Sequence, residues 1–283
     1  MIYIKIDLNI LYHYNIRMEF EKYIDSLSVA DKTKLNIIRT IENYIDVFDV
    51  IDPTSVIKNL NNDNIYINIS RKKNATISMI HFYRFAGFDD TDLQKHLKKI
   101  NDIQNKSYIE RNKILKTELP NYKELWAFNL KNYKEGKYRA FVVNYLLINY
   151  FVRLLDLDLI ISKDTKNIDT DKNYLILRKT SIIYYRNNFK TVKKFGPQKH
   201  IIKSKRMINA LNELLGDCEQ VKLLTTHKNL NGEIKKYTYN KLNESDYYKI
   251  MMASKSKLKD YKRLTQLRGS SLETACISYD LNL

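Results

Sequence analysis

The sequence predicts a mainly α-helical protein with a small antiparallel β-sheet, an α+β class arranged in two domains. Three observations predict it. Apolar residues recur at helical spacing along most of the chain, the run from Val142 to Ile161 is apolar almost throughout, and three short stretches rich in Ile and Tyr follow it between turn residues. At 283 residues the chain can fill two domains, and each can bury a core without disulfides or metal.

The elements follow in order. Alternation at Ile2, Ile4, Ile6, Leu8 and Ile10 reads as a strand, and Met18 to Leu27 as a helix. Asp31 precedes an amphipathic run through Leu35, Ile37, Ile38, Ile41, Tyr44, Ile45 and Phe48 that ends near Pro53. Asn74 is a candidate cap for a helix through Met79 and Phe82 that stops at Gly87. Helical patterns follow at 90–101 and 104–117.

Leu119 and Pro120 then break the pattern and set the expected boundary, giving 1–28 as a strand and helix, 29–120 as a helical domain and 121–283 as the second domain. Helices are expected at Tyr122–Tyr133 and Tyr138–Ile161, the latter a buried central helix because it is apolar nearly all round. Strands are expected at Tyr174–Leu177, Ile182–Tyr185 and His200–Ile202. Further helices are expected at Met207–Leu215, at Asn240–Met252 with Asn240 as cap, and from Lys259 onward.

Composition narrows the class of function. Lys plus Arg number 49 against 32 Asp plus Glu, a net charge of +17 that attracts polyanions, with nucleic acid foremost. Only six Gly and three Pro among abundant Lys, Asn, Ile and Tyr suggest AT-rich coding, but that bias raises Glu as well as Lys and does not explain the imbalance. Cys218 and Cys276 are the only cysteines and show no ligand spacing, so no metal, no cofactor and a reducing compartment are expected. The N-terminus lacks the pattern of a signal peptide. The longest apolar run carries Arg153, Asp156 and Asp158, each costing about 2.5–3.5 kcal/mol at a bilayer centre. An intracellular protein of nucleus or cytoplasm, with no membrane partner, is expected.

Three basic residues stand out. Arg153 sits in the apolar run, where a lone arginine is expensive unless paired or aimed into a cleft; pairing with Asp156 at i, i+3 is the plain structural alternative. Lys190 lies in a hairpin-like segment, able to hold a phosphate or donate a proton, or else to guard an edge strand. Arg268 lies near an expected helix start, with Thr265 before it and Ser270 after it, where it can face an anion or solvent.

In order and context these residues, as Arg153-Leu-Leu-Asp156-Leu157, then Phe189-Lys190-Thr191 with Phe195-Gly196, then Leu267-Arg268-Gly-Ser270, resemble the tyrosine recombinases, the phage-integrase family. The hairpin is similar to that of the divergent branch in large DNA viruses and eukaryotic mobile elements. By this resemblance residues 121–283 are the catalytic domain. Residues 29–120, whose segment Asn74 to Phe85 is similar to a family helix, are the core-binding domain.

The resemblance implies duplex DNA as partner, with Lys95, Lys98, Lys99, Arg111 and Lys113 as phosphate contacts. It also implies homo-oligomers on paired sites. A tyrosine would attack the scissile phosphate without metal, Arg153 and Arg268 would bind its non-bridging oxygens, and Lys190 would protonate the leaving 5′ oxygen.

Two departures qualify it. Thr265 stands where most relatives carry histidine, and a threonine is a poor base. Only 15 residues, 269 to 283, follow Arg268, whereas the family's nucleophile lies beyond a further helix; Tyr279 is the only tyrosine in that stretch, a candidate nucleophile that comes too soon to match the family's. The catalytic domain is therefore expected to be incomplete at its C-terminus. An active recombinase, a DNA-binding protein of recombinase descent without cleavage, and a truncated recombinase all stay open. A type IB topoisomerase is a more distant alternative.

Overall fold

The computed structural model describes residues 14–48, 55–164, 168–225, 229–255 and 257–279. The strand expected at Ile2–Ile10 lies outside them. The chain forms two compact units, Met1–Ser107 and Tyr108–Leu283, and the fold is α+β.

The first unit is helical: α1 (Tyr14–Ser26), α2 (Asp31–Phe48), α3 (Val56–Leu60), α4 (Ile69–Ala86) and the beginning of α5 (Thr91–Glu118). In α2 the i, i+4, i+7 positions Ile37, Ile41 and Tyr44 are buried, and the Tyr44 hydroxyl accepts from Asn59 Nδ2 of α3 at 2.9 Å. They share a core with Ile24, Leu60, Met79, Phe82 and Tyr83. The cap of α4 is Asn68, whose side chain accepts from Arg71 N at 3.0 Å, so Asn74 lies inside the helix. Gly87 ends it as expected, with φ +71 and the paired bonds of a Schellman motif.

The patterns at 90–101 and 104–117 are one helix, α5, because no Gly or Pro interrupts the residues between them. It crosses the division between the units and ends just before the Leu119–Pro120 break.

The second unit continues with α6 (Tyr122–Lys134), opened by a reciprocal Asn121–Glu124 cap, and α7 (Tyr138–Tyr150). Phe141, Val142, Val143, Leu146, Leu147 and Ile148 are all buried, so α7 is the central helix. A leucine such as Leu146 buried there is worth about 1.5–3 kcal/mol. The one polar residue at its centre, Asn144, donates to Ala140 O and to Tyr237 O at 2.7 and 2.8 Å and accepts from the Tyr247 hydroxyl.

The expectation of a helix to Ile161 is corrected. Phe151 takes a left-handed conformation, φ 52, and stops α7; a 3-10 turn at Leu154–Leu157 follows, then strand β1 (Leu159–Ser162). An unbroken apolar run cannot by itself separate buried helix from buried strand. The remaining elements are β2 (Asn173–Leu177), β3 (Ile182–Arg186), α8 (Val192–Phe195), β4 (Gln198–Ile202), α9 (Lys205–Leu215) and β5 (Gln220–Lys222). Then come α10 (Leu230–Ile234), α11 (Glu244–Ala253), α12 (Leu258–Arg268) and α13 (Leu272–Tyr279).

The sheet has five strands in the order β4-β3-β2-β1-β5. It is mixed, which corrects the antiparallel sheet expected: β1 and β2 run parallel, β2–β3 and β3–β4 are antiparallel as expected, and β5, not expected as a strand, pairs antiparallel with β1. Asn240 is not a helix cap: it sits at φ 44 in a short turn, and Asn243 caps α11 by exchanging bonds with Asp246. No described helix is long and apolar enough to cross a membrane.

Candidate functional site

Arg153, Lys190 and Arg268 come from three distant segments of the second unit, and their neighbourhoods converge on Gly269. The left-handed turn at Phe151 redirects the chain so that Arg153 is extended and half-buried, with Nη2 at 3.5 Å from Gly269 O. Its Nη1 is buried without an acceptor. Burial, and then the charge of Arg268, hold its pKa below the usual arginine value.

The i, i+3 ion pair of Arg153 with Asp156 does not form. Asp156, fully buried, accepts the backbone N–H of Arg153 at 2.7 Å and the Nη2 of Arg186 at 2.6 Å. Arg186, at the end of β3, is 1% exposed; it donates to Gln198 Oε1 at 3.1 Å and to the Leu267 carbonyl, and lies 4.3 Å from the Phe189 ring. One guanidinium thus joins β3, β4, the turn after α7 and the end of α12. Sequence reasoning missed it: an arginine after Tyr184-Tyr185 and before two asparagines looks like an exposed strand end.

The segment after β3 is shaped by Asn173, which donates to Asn188 O and accepts from Asn188 N, both at 2.8 Å. Phe189 then turns inward, Lys190 is exposed, and Thr191 Oγ1 donates to Gly269 O at 3.0 Å. The connection from β3 to edge strand β4 carries Lys190, Lys193 and Lys194, and β4 itself carries Lys199, with no acidic residue from 187 to 212. These lysines suit both uses, discouraging edge pairing and attracting an anion.

Arg268 does not open a helix. It closes α12, where a cation complements the helix dipole, and Gly269 at φ +66 follows in a Schellman motif. A Cβ on Gly269 would overlap Thr191 Oγ1 and come within 3.3 Å of Phe189 Cε2, so this crossing of segments requires glycine. Arg268 is 1% exposed, donates from Nη1 to Phe151 O at 3.3 Å and from Nη2 to Glu244 Oε2 at 2.5 Å, and leaves Nε without an acceptor. Burial opposes its charge, but Glu244 and Tyr279 more than offset that and raise its pKa.

Tyr279, near the end of α13, packs edge-on against Tyr248 at 5.0 Å between centroids, and its ring lies 5.2 Å from the Arg268 guanidinium. The single tyrosine after Arg268 is therefore beside the arginines. Thr265 is buried and its hydroxyl donates to Lys262 O at 2.8 Å within α12, so it is turned into its own helix. Of the expected phosphate contacts, Lys95, Lys98 and Lys99 are exposed in the first unit, Lys95 paired with Asp92 at 2.9 Å, and Arg111 and Lys113 are exposed in the second.

A scan against protein-family models finds no match, and a search of curated proteins finds none. Among solved structures, the chain is similar to the crystal structure of XerA recombinase, at 11% identity and a TM-score of 0.34, over 93% of this chain and 92% of that one. A likeness that slight assigns neither fold nor function.

Proposed function

We propose that the chain is a DNA-binding protein of tyrosine-recombinase type that holds one backbone phosphate with Arg153, Lys190 and Arg268. The observation that carries this reading is the meeting at Gly269 of two arginines 115 positions apart (268 less 153), each with a guanidinium N–H lacking an acceptor. Two like charges in one buried place are costly unless an anion joins them, and a phosphodiester matches the paired donors of guanidinium groups. The sequence motifs around these residues and the net charge of +17 support the same partner.

Strand cleavage would follow from Tyr279. Its hydroxyl oxygen attacks phosphorus, the bond from phosphorus to the 5′ oxygen breaks, Lys190 gives that oxygen a proton, and the tyrosine proton passes to water. The products are a 3′-phosphotyrosyl link and a 5′-hydroxyl end. A second reading, binding without cleavage, is favoured by the inward hydroxyl of Thr265, which is turned into its own helix.

A nicked suicide duplex tests both. A denaturant-resistant adduct that disappears in Tyr279→Phe supports cleavage, whereas salt-sensitive binding with no adduct supports the second reading. Absence of binding to duplex DNA at low salt overturns both.

A further inference from the structure

Within the second unit a cavity of about 410 Å³ includes Glu244 and Tyr279, both of which contact Arg268. It is lined by Tyr108 and Arg111 of α5, Glu244, Asp246 and Lys249 of α11, and Tyr279 of α13. Lys249 is 8% exposed, and no carboxylate pairs with it among the described residues. The two carboxylates of the lining are engaged elsewhere: Glu244 holds Arg268 at 2.5 Å, and Asp246 Oδ2 accepts Asn243 N at 3.0 Å.

The Lys249 ammonium is partly desolvated with no ion-pair partner among the described residues, which carries a cost, and the neighbouring Arg111 adds repulsion. Burial first, then Arg111, push the Lys249 pKa down, with Asp246 opposing them. Arg111 itself is exposed and also unpaired among the described residues. The cavity thus brings together one buried lysine and one exposed arginine, neither in an ion pair among the described residues. An anion entering there would relieve both.

We propose that this cavity is a phosphate site in which Lys249 supplies a point charge and Arg111 a planar pair of donors. Resting on the DNA-binding reading above, its occupant is a backbone phosphate other than the one held by Arg153 and Arg268. A free phosphate group is the other source of the same chemistry, and the test separates the two.

The experiment uses the full chain with Arg111→Gln and Lys249→Met. In one arm, binding to a duplex of about 30 base pairs is titrated against salt; each lost phosphate contact lowers the slope of log K on log salt by about 0.9. In the other, melting temperature is compared in inorganic phosphate and in chloride at equal ionic strength. The expected result is a slope reduced by about one in each variant, with a phosphate-induced stabilisation of the wild type that both variants lose.

Loss of the phosphate response with an unchanged DNA slope, or with no DNA binding even by the wild type, keeps the site and assigns it to free phosphate. Wild-type slope together with wild-type phosphate response in the variants overturns the proposal. Should Lys249→Met fail to fold, Arg111→Gln carries the test, since Arg111 is exposed and packs no core.

Discussion

The Glu244 carboxylate lies 2.5 Å from Nη2 of Arg268, and the same guanidinium sits 4.4 Å from the Tyr248 ring and 5.2 Å from that of Tyr279. On the proposed reading Glu244 competes with a phosphate oxygen for Arg268, and DNA binding there requires Glu244 to move aside.

Glu244→Gln keeps the shape of that contact and removes its charge. Affinity for duplex DNA is expected to rise about fivefold, equivalent to roughly 1 kcal/mol, while the melting temperature falls because Arg268 loses its counter-ion in a buried place. Fluorescence anisotropy and thermal denaturation read the two effects. An unchanged affinity would show that Glu244 does not compete with phosphate.

Arg186 and Asp156 form the most deeply buried ion pair described, 1% and 0% exposed. Removing one partner, as in Asp156→Asn or Arg186→Met, is expected to cost about 3–5 kcal/mol in urea denaturation. Replacing both, Asp156→Leu with Arg186→Met, should recover most of that loss, because no charge is left buried alone. DNA affinity should stay low in the double variant, since Arg186 also holds the Leu267 carbonyl next to Arg268. A double variant as unstable as either single one contradicts this account.

Gly269→Ala combines a left-handed backbone with an overlap against Thr191. A loss of about 1–3 kcal/mol is expected from the backbone alone, and more with the clash. Adding Thr191→Ala should restore part of the stability by removing the overlap, while forfeiting a hydrogen bond worth about 1 kcal/mol. Circular dichroism melts of the three proteins give the comparison; a fully stable Gly269→Ala is the contrary result.

Three described histidines titrate below their ordinary value of 6.5: His81 through burial and then Arg84, His96 through burial and then Lys99 and Lys72, and His200 through burial and then Arg186. Below pH 6.5 the unfolded chain binds protons that the folded chain refuses. Their contribution is therefore complete above pH 6.5 and is lost as pH falls through the lower folded values. The urea midpoint should drop between pH 7 and pH 5, and His200→Gln should shallow that drop. An identical pH profile in the variant would exclude His200 as a contributor.

Much of the helical framework was legible because its signals are local. Asp31 opening α2, Gly87 closing α4, and the apolar stripes of α6 and α9 rest on spacing and capping within a few residues. The strands at β2, β3 and β4 were legible for the same reason, each bounded by turn residues. β1 was hidden, since an apolar run suits a buried helix and a buried strand equally, and its parallel pairing with β2 depends on a partner about 14 residues onward in register.

The candidate site divides the same way. By itself the sequence determined that Arg153, Lys190 and Arg268 stand in contexts suited to an anion, because residue type and neighbouring motif are properties of the chain. Only the tertiary structure decided that Arg153 and Arg268 share Gly269, that Asp156 serves Arg186 instead of the Arg153 side chain, that Glu244 covers Arg268, and that Tyr279 lies beside it. Those contacts join residues 11 to 116 positions apart. No local periodicity encodes them, because burial selects partners for each guanidinium from whatever the packed elements bring within reach.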